Sequence, residues 1–487
     1  VECKIVHSNQ SFVKQLSKEI NENIASQHVH NNKQYLIQWG KSEHNTNNPY
    51  LYTLNPTVGI ENTNNRLRMF RILQLNNIDI PEIVKTGARP NGLSKYQINN
   101  IKTIRNYRIF VFQFQTLIIY RSNDNLVWLS ANTQQPLTKY YQVLEDANRE
   151  TKKVARLAEK AVFSLGLDFG EVWIGIDSDK KRVVLNVDSA PILNLKRKKL
   201  YYEAIVQFIV NYTNDLNGTL PVIGADAEFM LRRKGKMVLA SKYFPKNGKI
   251  GCDARTINRD QKKRPLAEIR PDPSTKPDIV LDNIYEIFND AIRKVNVSSI
   301  EWVAGSMPFK GYTVGGHIHF SDVKLNTPMV RALDNYLAIP FSLIEDAEIA
   351  KKRRKKYGTL GDVRTQFHGG FEYRTLSSWI LCPKITKAAL HLSYFIVQNY
   401  TQLRKDLFLT YNNQQKFYAT DRNLLKKYFI QTWEELEKIP GFINIYKNIK
   451  ILRDMIDKDE IWNELGDFKN NWTSKEVMAT NREARSS

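Results

Sequence analysis

The chain has 487 residues, 42% of them hydrophobic and 25% charged, and carries 72 Lys and Arg against 50 Asp and Glu, a formal net charge of +22 at pH 7. At roughly 100–200 residues per domain this length implies two or three domains with sizeable cores. No apolar run approaches the ~18 residues that span a bilayer, and the opening VECKIVHSNQ lacks the basic-then-apolar pattern of a secretory signal, so a cytoplasmic protein with no membrane span is expected. The three cysteines, Cys3, Cys252 and Cys382, form neither a CxxC pair nor a zinc spacing, which reads as free thiols in a reducing compartment. The positive charge favours anionic partners; nucleic acid is one of them, on charge alone.

In chain order, Asn106 to Ser122 (NYRIFVFQFQTLIIYRS) reads as a β-hairpin whose apolar arms meet around Gln113 to Gln115. A helix follows, with Val154, Leu157, Ala158, Ala161, Val162 and Leu165 on one face and Gly166 at its stop. EVWIGID and KRVVLNVD read as two strands joined by a polar turn at Ser178 to Lys180, and KLYYEAIVQFIVNYTN as a buried helix. The polar stretch Asn214 to Thr219 is the expected domain boundary. Beyond it LPVIGADAEFML reads as a strand, and the region after Pro383 as several helices ending in a loose tail. The whole is expected to be α+β, with domains at 1–213, 220–400 and a helical extension at 401–487.

Five segments of the second half carry candidate chemistry. GADAEF places Asp226 and Glu228 on one face of a strand, where two acids repel unless a cation lies between them. LAEIRP pairs Glu268 with Arg270 at the same spacing. GGHIHF puts His317 and His319 on one face behind two glycines. The run from Lys351 to Arg364 (KKRRKKYGTLGDVR) offers Arg353 and Arg354 for an anchored phosphate-binding loop, its lysines being solvated. FEYRT pairs Glu372 with Arg374. Each alone also reads as a solvated strand face or a salt bridge. Together, oxygen ligands with an imidazole suit Mg²⁺ or Mn²⁺ better than zinc, and arginines beside such a cluster suit phosphate chemistry.

In this order the motifs GADAEF, AEIRP, GGHIHF, R-R-x-x-YG-x-x-G-x-x-R and FEYRT-x-SSW, over roughly Pro221 to Pro383, resemble the glutamine synthetase-like carboxylate–amine ligases, which include glutamate–cysteine ligases, and above all the phage-associated COOH–NH2 ligases of type 2. The resemblance implies a curved antiparallel sheet with flanking helices, holding ATP and Mg²⁺ or Mn²⁺ on its concave face. It implies that Glu228 and Glu268 hold one metal near the amino-acid substrate, and that Asp226, His317 and Glu372 hold another on the ATP phosphates. His319, Arg353, Arg354 and Arg270 would contact the nucleotide, while Arg374 and Arg364, with Glu268, would serve the transfer step. The family has a further acid on the AEIRP side, for which no match is evident. The activity implied is amide or isopeptide formation through an acyl phosphate, joining a carboxylate-bearing amino acid or peptide to an amine. A phosphotransferase of the guanidino-kinase type, or an inactive ligase fold that binds nucleic acid, are the alternatives.

The first half, through Leu54 to Pro81, Tyr107 to Phe112 and Ser164 to Leu193, resembles the ATP-grasp ligases and implies a reduced α/β domain of that kind. The family's ATP-covering hairpin is not evident between Pro81 and Tyr107. Asn186-Val187-Asp188 stands where a Glu-x-Asn metal pair is usual, so this half reads as a degenerate ATP-grasp.

Overall fold

The structure, a computed structural model, describes residues 2–7, 10–26, 34–43, 50–88, 94–123, 127–129, 139–366 and 369–473; the tail expected to be loose lies almost wholly outside them. The chain divides into two compact units, Val1–Asn214 with Leu407–Gln415, and Asp215–Asp406 with Lys416–Ser487.

The first unit opens with strands β1 (Glu2–His7), β2 (Gln34–Trp39) and β3 (Tyr52–Leu54), which pair in parallel, and helices α1 (Ser11–Ser26), α2 (Thr57–Asn64) and α3 (Arg66–Leu75). Strands β4 (Ile83–Ala88) and β5 (Ser94–Ile98) then form an antiparallel pair. The pair lies in the stretch where the ATP-covering hairpin of the ATP-grasp ligases is not evident, and its register shifts at a bulge between Lys85 and Gly87. After β6 (Ile101–Thr103) come β7 (Arg105–Phe112), β8 (Gln115–Ser122), β9 (Val127–Leu129) and β10 (Tyr140–Val143), helix α4 (Arg149–Ser164), β11 (Phe169–Ile176), β12 (Arg182–Asp188) and helix α5 (Leu195–Asn214). The main sheet is antiparallel, in the order β10-β8-β7-β11-β12.

The hairpin turns where the apolar arms meet, with Gln113 at φ +53°. Helix α4 starts on a capping box, in which the Asn148 side chain accepts from Thr151 N–H and the Thr151 hydroxyl accepts from Asn148 N–H. Its apolar stripe, Val154, Ala158, Ala161 and Val162, is buried against Ile109, Val172 and Ile174 of the sheet. One face of that sheet carries Arg108 of β7 and Glu171 of β11, an ion pair almost wholly out of solvent. The guanidinium also lies 4.8 Å from the Trp173 ring centroid.

The second unit is built on one antiparallel sheet. Its long central strand β13 (Val222–Arg233) is followed by β14 (Lys236–Val238), β15 (Ile250–Cys252), β16 (Leu266–Ile269), helix α6 (Pro277–Lys294), β17 (Glu301–Val303) and β18 (Gly316–Ser321). Helices α7 (Thr327–Ala332), α8 (Ile339–Ile344) and α9 (Ala347–Arg354) precede β19 (Val363–Thr365) and β20 (Phe371–Tyr373). Helices α10 (Pro383–Asn399), α11 (Tyr411–Tyr418), α12 (Arg422–Leu436) and α13 (Phe442–Asp457) complete the described chain. The strand order is β15-β16-β13-β18-β20-β19, with β14 and β17 also paired to β13.

β13 alternates sides, as a strand must. Its Phe229 side rests on aromatic rings: Phe229 stacks on Trp302 at 4.9 Å between centroids and meets Phe468 edge-on at 5.7 Å, while Phe288 lies 4.5 Å from Trp472. Such pairs add roughly 0.5–1.5 kcal/mol each beyond burial, which makes this a stiff backing for the opposite face, where Asp226 and Glu228 stand. No helix among the described residues is long and apolar enough to cross a membrane, and Cys3, Cys252 and Cys382 are all free thiols.

Candidate active site

Strand register gathers the polar residues. Glu228 of β13 lies opposite Glu268 of β16, which in turn lies opposite Gly251 of β15. Asp226 lies opposite His317 of β18. His319 of β18 lies opposite Glu372 of β20, itself opposite Arg364 of β19. Residues far apart in sequence thus share one face of one sheet, because in each strand the acid, imidazole or guanidinium occupies the same parity.

Two groups of potential metal ligands result. Asp226, His319 and Glu372 each present one ligand atom within 4.8 Å of the others, as do Glu228, Asp253 and Glu268. In the first group Glu372 Oε1 lies 3.0 Å from Arg374 Nε and 3.2 Å from His317 Nδ1, and His319 Nε2 lies 3.2 Å from Asp226 Oδ2. In the second, Glu228 is held by the Gly315 N–H at 2.8 Å. Burial pushes its carboxyl from 4.5 up to about 7, against the pull of His317. Burial, and then Asp226, do the same to Glu268, also to about 7. Carboxyls that resist ionisation for want of a counter-charge fit a divalent cation, and the oxygen-rich donor set suits Mg²⁺ or Mn²⁺.

Asp253 is the residue that sequence reasoning missed. It follows β15 directly, is half-buried, and accepts from the Arg255 N–H at 2.8 Å. Its carboxylate lies within 4.8 Å of those of Glu228 and Glu268. The signal existed: Asp253-Ala254-Arg255 repeats the acid–x–Arg spacing of Glu268–Arg270 and Glu372–Arg374.

His317, expected as a ligand, has a contact at each ring nitrogen. Its Nδ1 meets Asp226 Oδ1 at 2.5 Å and its Nε2 meets the Tyr357 hydroxyl at 2.8 Å. Burial alone would lower its pKa, but Asp226, then Glu228 and Glu372, outweigh it and raise the ring to about 9. Both ring nitrogens of His317 are thus engaged, by Asp226 and by Tyr357, and it is His319 whose ligand atom lies within 4.8 Å of those of Asp226 and Glu372. Burial likewise opposes ionisation of Asp226, but the two histidines prevail and hold its carboxyl far below the usual range. Gly315 leaves room for the imidazole: a Cβ there would come within 2.2 Å of His317 Nε2.

Glu372 is fully buried and gathers cations. Arg364 donates to its Oε2 through Nε at 2.8 Å and Nη2 at 2.5 Å, Gln366 donates to the same oxygen at 2.9 Å, and Arg374 Nε lies 3.0 Å from Oε1. The Arg374 guanidinium also lies 4.7 Å from the Tyr357 ring centroid. Arg270 donates to Glu268 Oε1 at 2.7 Å and to the carbonyls of Gly248 and Cys252, so it balances one acid of the second group.

Arg353 and Arg354 are corrections to the sequence reading. Arg353 is wholly buried and donates to the carbonyls of Val314, Thr375 and Leu376 at 2.6–2.9 Å. It ties α9 to the segments beside the site, with Gly358 (φ +73°) passing so close that a Cβ would meet its Nη1 at 2.2 Å. Arg354 pairs with buried Glu345 at 2.5 Å and lies over Phe417. Neither presents its guanidinium to a phosphate. The run of cations follows α9 into its last turn, where the macrodipole favours them, and two of its members point into the core.

Comparison with known proteins gives one family and a set of distant structures. No curated protein sequence matches the chain. Among solved structures, the macrocyclase MdnB from Microcystis aeruginosa MRC is 14% identical with a TM-score of 0.29, covering 43% of this chain and 98% of its own. The ATP-grasp ligase PsnB complexed with its minimal precursor is 8% identical with a TM-score of 0.28, covering 42% and 97%. A bifunctional glutathione synthetase from Pasteurella multocida is 11% identical with a TM-score of 0.31, covering 56% and 51%. Likeness at these scores carries nothing about chemistry. The family model is of another order: the phage phiEco32-like COOH·NH2 ligase type 2 model matches residues 223–474, more than half the chain and every residue of both ligand groups. The chain belongs to the phage phiEco32-like COOH·NH2 ligase type 2 family, and is a carboxylate–amine ligase.

Proposed function

We propose that the second unit activates a carboxylate with ATP and joins it to an amine, through an acyl phosphate, at a site that uses Mg²⁺ or Mn²⁺. The observation that carries the proposal is the pair of three-residue ligand groups side by side on one sheet face, with two arginines converging on one of them.

Asp226, His319 and Glu372 would hold one cation, and Glu228, Asp253 and Glu268 a second. A cation bound there supplies charge neutralisation for the phosphate oxygens. The chain's own residues do the rest. His317, pinned by Tyr357, fixes the Asp226 carboxylate. Arg364 and Arg374 fix Glu372 and turn their positive charge toward the same face, where charge spreads over the phosphoryl oxygens as it passes from ATP to the substrate carboxylate. Arg270 orients Glu268. The amine then attacks the acyl carbon, phosphate leaves with the bonding pair, and the nitrogen loses a proton. Both steps depend on positioning and fixed charge more than on proton transfer.

The acid and amine are proposed as an amino acid or peptide and an amine co-substrate. MdnB and PsnB are named as a macrocyclase and as an ATP-grasp ligase complexed with a precursor, which accords with peptides but does not select one. The testing experiment is phosphate release from Mg-ATP across pools of acids and amines. Release should require both partners and disappear in Glu228→Gln and Arg374→Ala. Release with an acid alone, persisting without amine, would point to a phosphotransferase.

A further inference from the structure

Residues 242–264 hold eight Lys and Arg in 23 positions, against 72 in 487 for the whole chain, and only two acids, Asp253 and Asp260. One of those acids belongs to the second ligand group. The segment runs through β15 and the loop into β16, the strands that bring Asp253 and Glu268 together. It is a built loop, not a loose run of charge. Ser241 N–H donates to the Arg264 carbonyl, Ser241 Oγ to that of Lys262 at 2.7 Å, and Ile257 N–H to that of Lys263 at 2.9 Å. Arg264, 5% exposed, donates to the carbonyl of Asp253 at 2.9 Å and to Gln261 at 2.7 Å, fastening the loop tip to the ligand residue.

Some of the cations are spent inside this structure: Lys249 on Asp272, Lys263 on Asp260, and Arg255 in part on the Thr313 carbonyl. Lys242, Lys246, Arg259 and Lys262 are exposed and make no ion pair among the described residues. Lys242 and Lys246 precede β15, and Arg259 and Lys262 lie in the connection that follows it; four exposed like charges on this one segment repel one another, so their joint presence favours a polyanion alongside. The aromatic platforms that single-stranded nucleic acid uses for stacking are lacking here: the one aromatic between residues 242 and 264 that is not buried, Tyr243, is half-covered. The reaction beside the loop consumes a carboxylate. We infer that residues 242–264 form a docking surface for an acidic peptide, its flanking carboxylates on Lys242, Lys246, Arg259 and Lys262 and its reacting carboxylate at the Glu228, Asp253 and Glu268 group. This rests on the ligase reading of that group.

The test is a binding measurement that needs neither nucleotide nor turnover. A fluorescein-labelled peptide of six glutamates is titrated with the full chain at low salt and followed by anisotropy. The variant K242E/K246E/R259E/K262E is compared with K438E/K447E/K450E/K458E, which changes net charge equally on four exposed lysines elsewhere. The loop variant should bind about tenfold more weakly or worse, since each rim charge is worth a few-fold, and the control within about threefold of the parent. Equal losses in both variants, no loss in the loop variant, or no binding by the parent would overturn the inference. So would an oligothymidylate of equal charge that binds as tightly and displaces the peptide. If the quadruple variant does not fold, as read by circular dichroism, K246Q/K262Q carries the comparison. Peptide binding that survives while phosphate release fails with every acid–amine pair would sink the ligase reading alone.

Discussion

Glu228→Gln should abolish ligation yet make the metal-free protein more stable above neutral pH. The reasoning starts from burial: Glu228 is 6% exposed, and its carboxyl moves from 4.5 to about 7 on folding. Below pH 4.5 the group is protonated in both states and costs nothing. Between 4.5 and about 7 the unfolded chain releases the proton while the folded chain keeps it, so stability falls as pH rises; above about 7 the full deficit stays, roughly 3 kcal/mol. Glutamine keeps an oxygen for the Gly315 N–H and cannot ionise, and the attraction to His317 is already contained in the value of about 7, so the net gain at pH 8 is roughly 3 kcal/mol. Urea unfolding in EDTA, followed by tryptophan fluorescence, reads it directly. The gain should vanish at pH 4.5. It should close or reverse in saturating Mg²⁺, because a cation at a hundred times its Kd stabilises the parent by about 2.7 kcal/mol. A variant less stable than the parent at pH 8 in EDTA, or equally shifted at both pH values, would refute the idea that this carboxyl is held against its own ionisation.

Asp253→Asn should leave the metal-free fold intact, remove one of two Mn²⁺ sites in a calorimetric titration, and lower turnover by about a hundredfold. Arg353→Met should destabilise the protein by about 3–5 kcal/mol in urea unfolding, because three buried carbonyls lose a charged donor. Lys356→Gln, on the same run of cations but exposed, should change stability by less than about 0.5 kcal/mol. Gly315→Ala should weaken Mn²⁺ binding at the Asp226 group and slow turnover, as the new Cβ displaces the His317 ring; Mn²⁺ titration at parent affinity would contradict the bracing role.

Much of the site could be read from spacing. An acid or imidazole at every second position is a statement about one strand face, and Asp226, Glu228, Glu268, His319, Glu372, Arg364 and Arg374 met on one sheet because antiparallel register preserves that parity. What spacing could not supply was which partner each side chain meets. His317 and His319 share a face, but spacing does not reveal that the first has both ring nitrogens engaged, by Asp226 and by Tyr357. Arg353 and Arg354 looked like phosphate ligands because charge density says nothing about direction: α9 turns them inward, to carbonyls and to Glu345. Asp253 was passed over because it stands just past a three-residue strand, without the apolar alternation that marked the others. In the first unit the hairpin at Asn106 to Ser122 and helix α4 were legible from their apolar pattern, whereas the β4–β5 pair was not, being short, polar and bulged.

The most direct measurement is anomalous diffraction from crystals grown with Mn²⁺ and a non-hydrolysable ATP analogue. Two manganese peaks are expected, one bound by Asp226, His319 and Glu372 and one by Glu228, Asp253 and Glu268, each about 2.0–2.3 Å from its protein ligands. Well-ordered crystals with manganese elsewhere, or with nucleotide bound and neither group occupied, would contradict the central claim that this sheet face is a divalent-cation site for phosphoryl transfer.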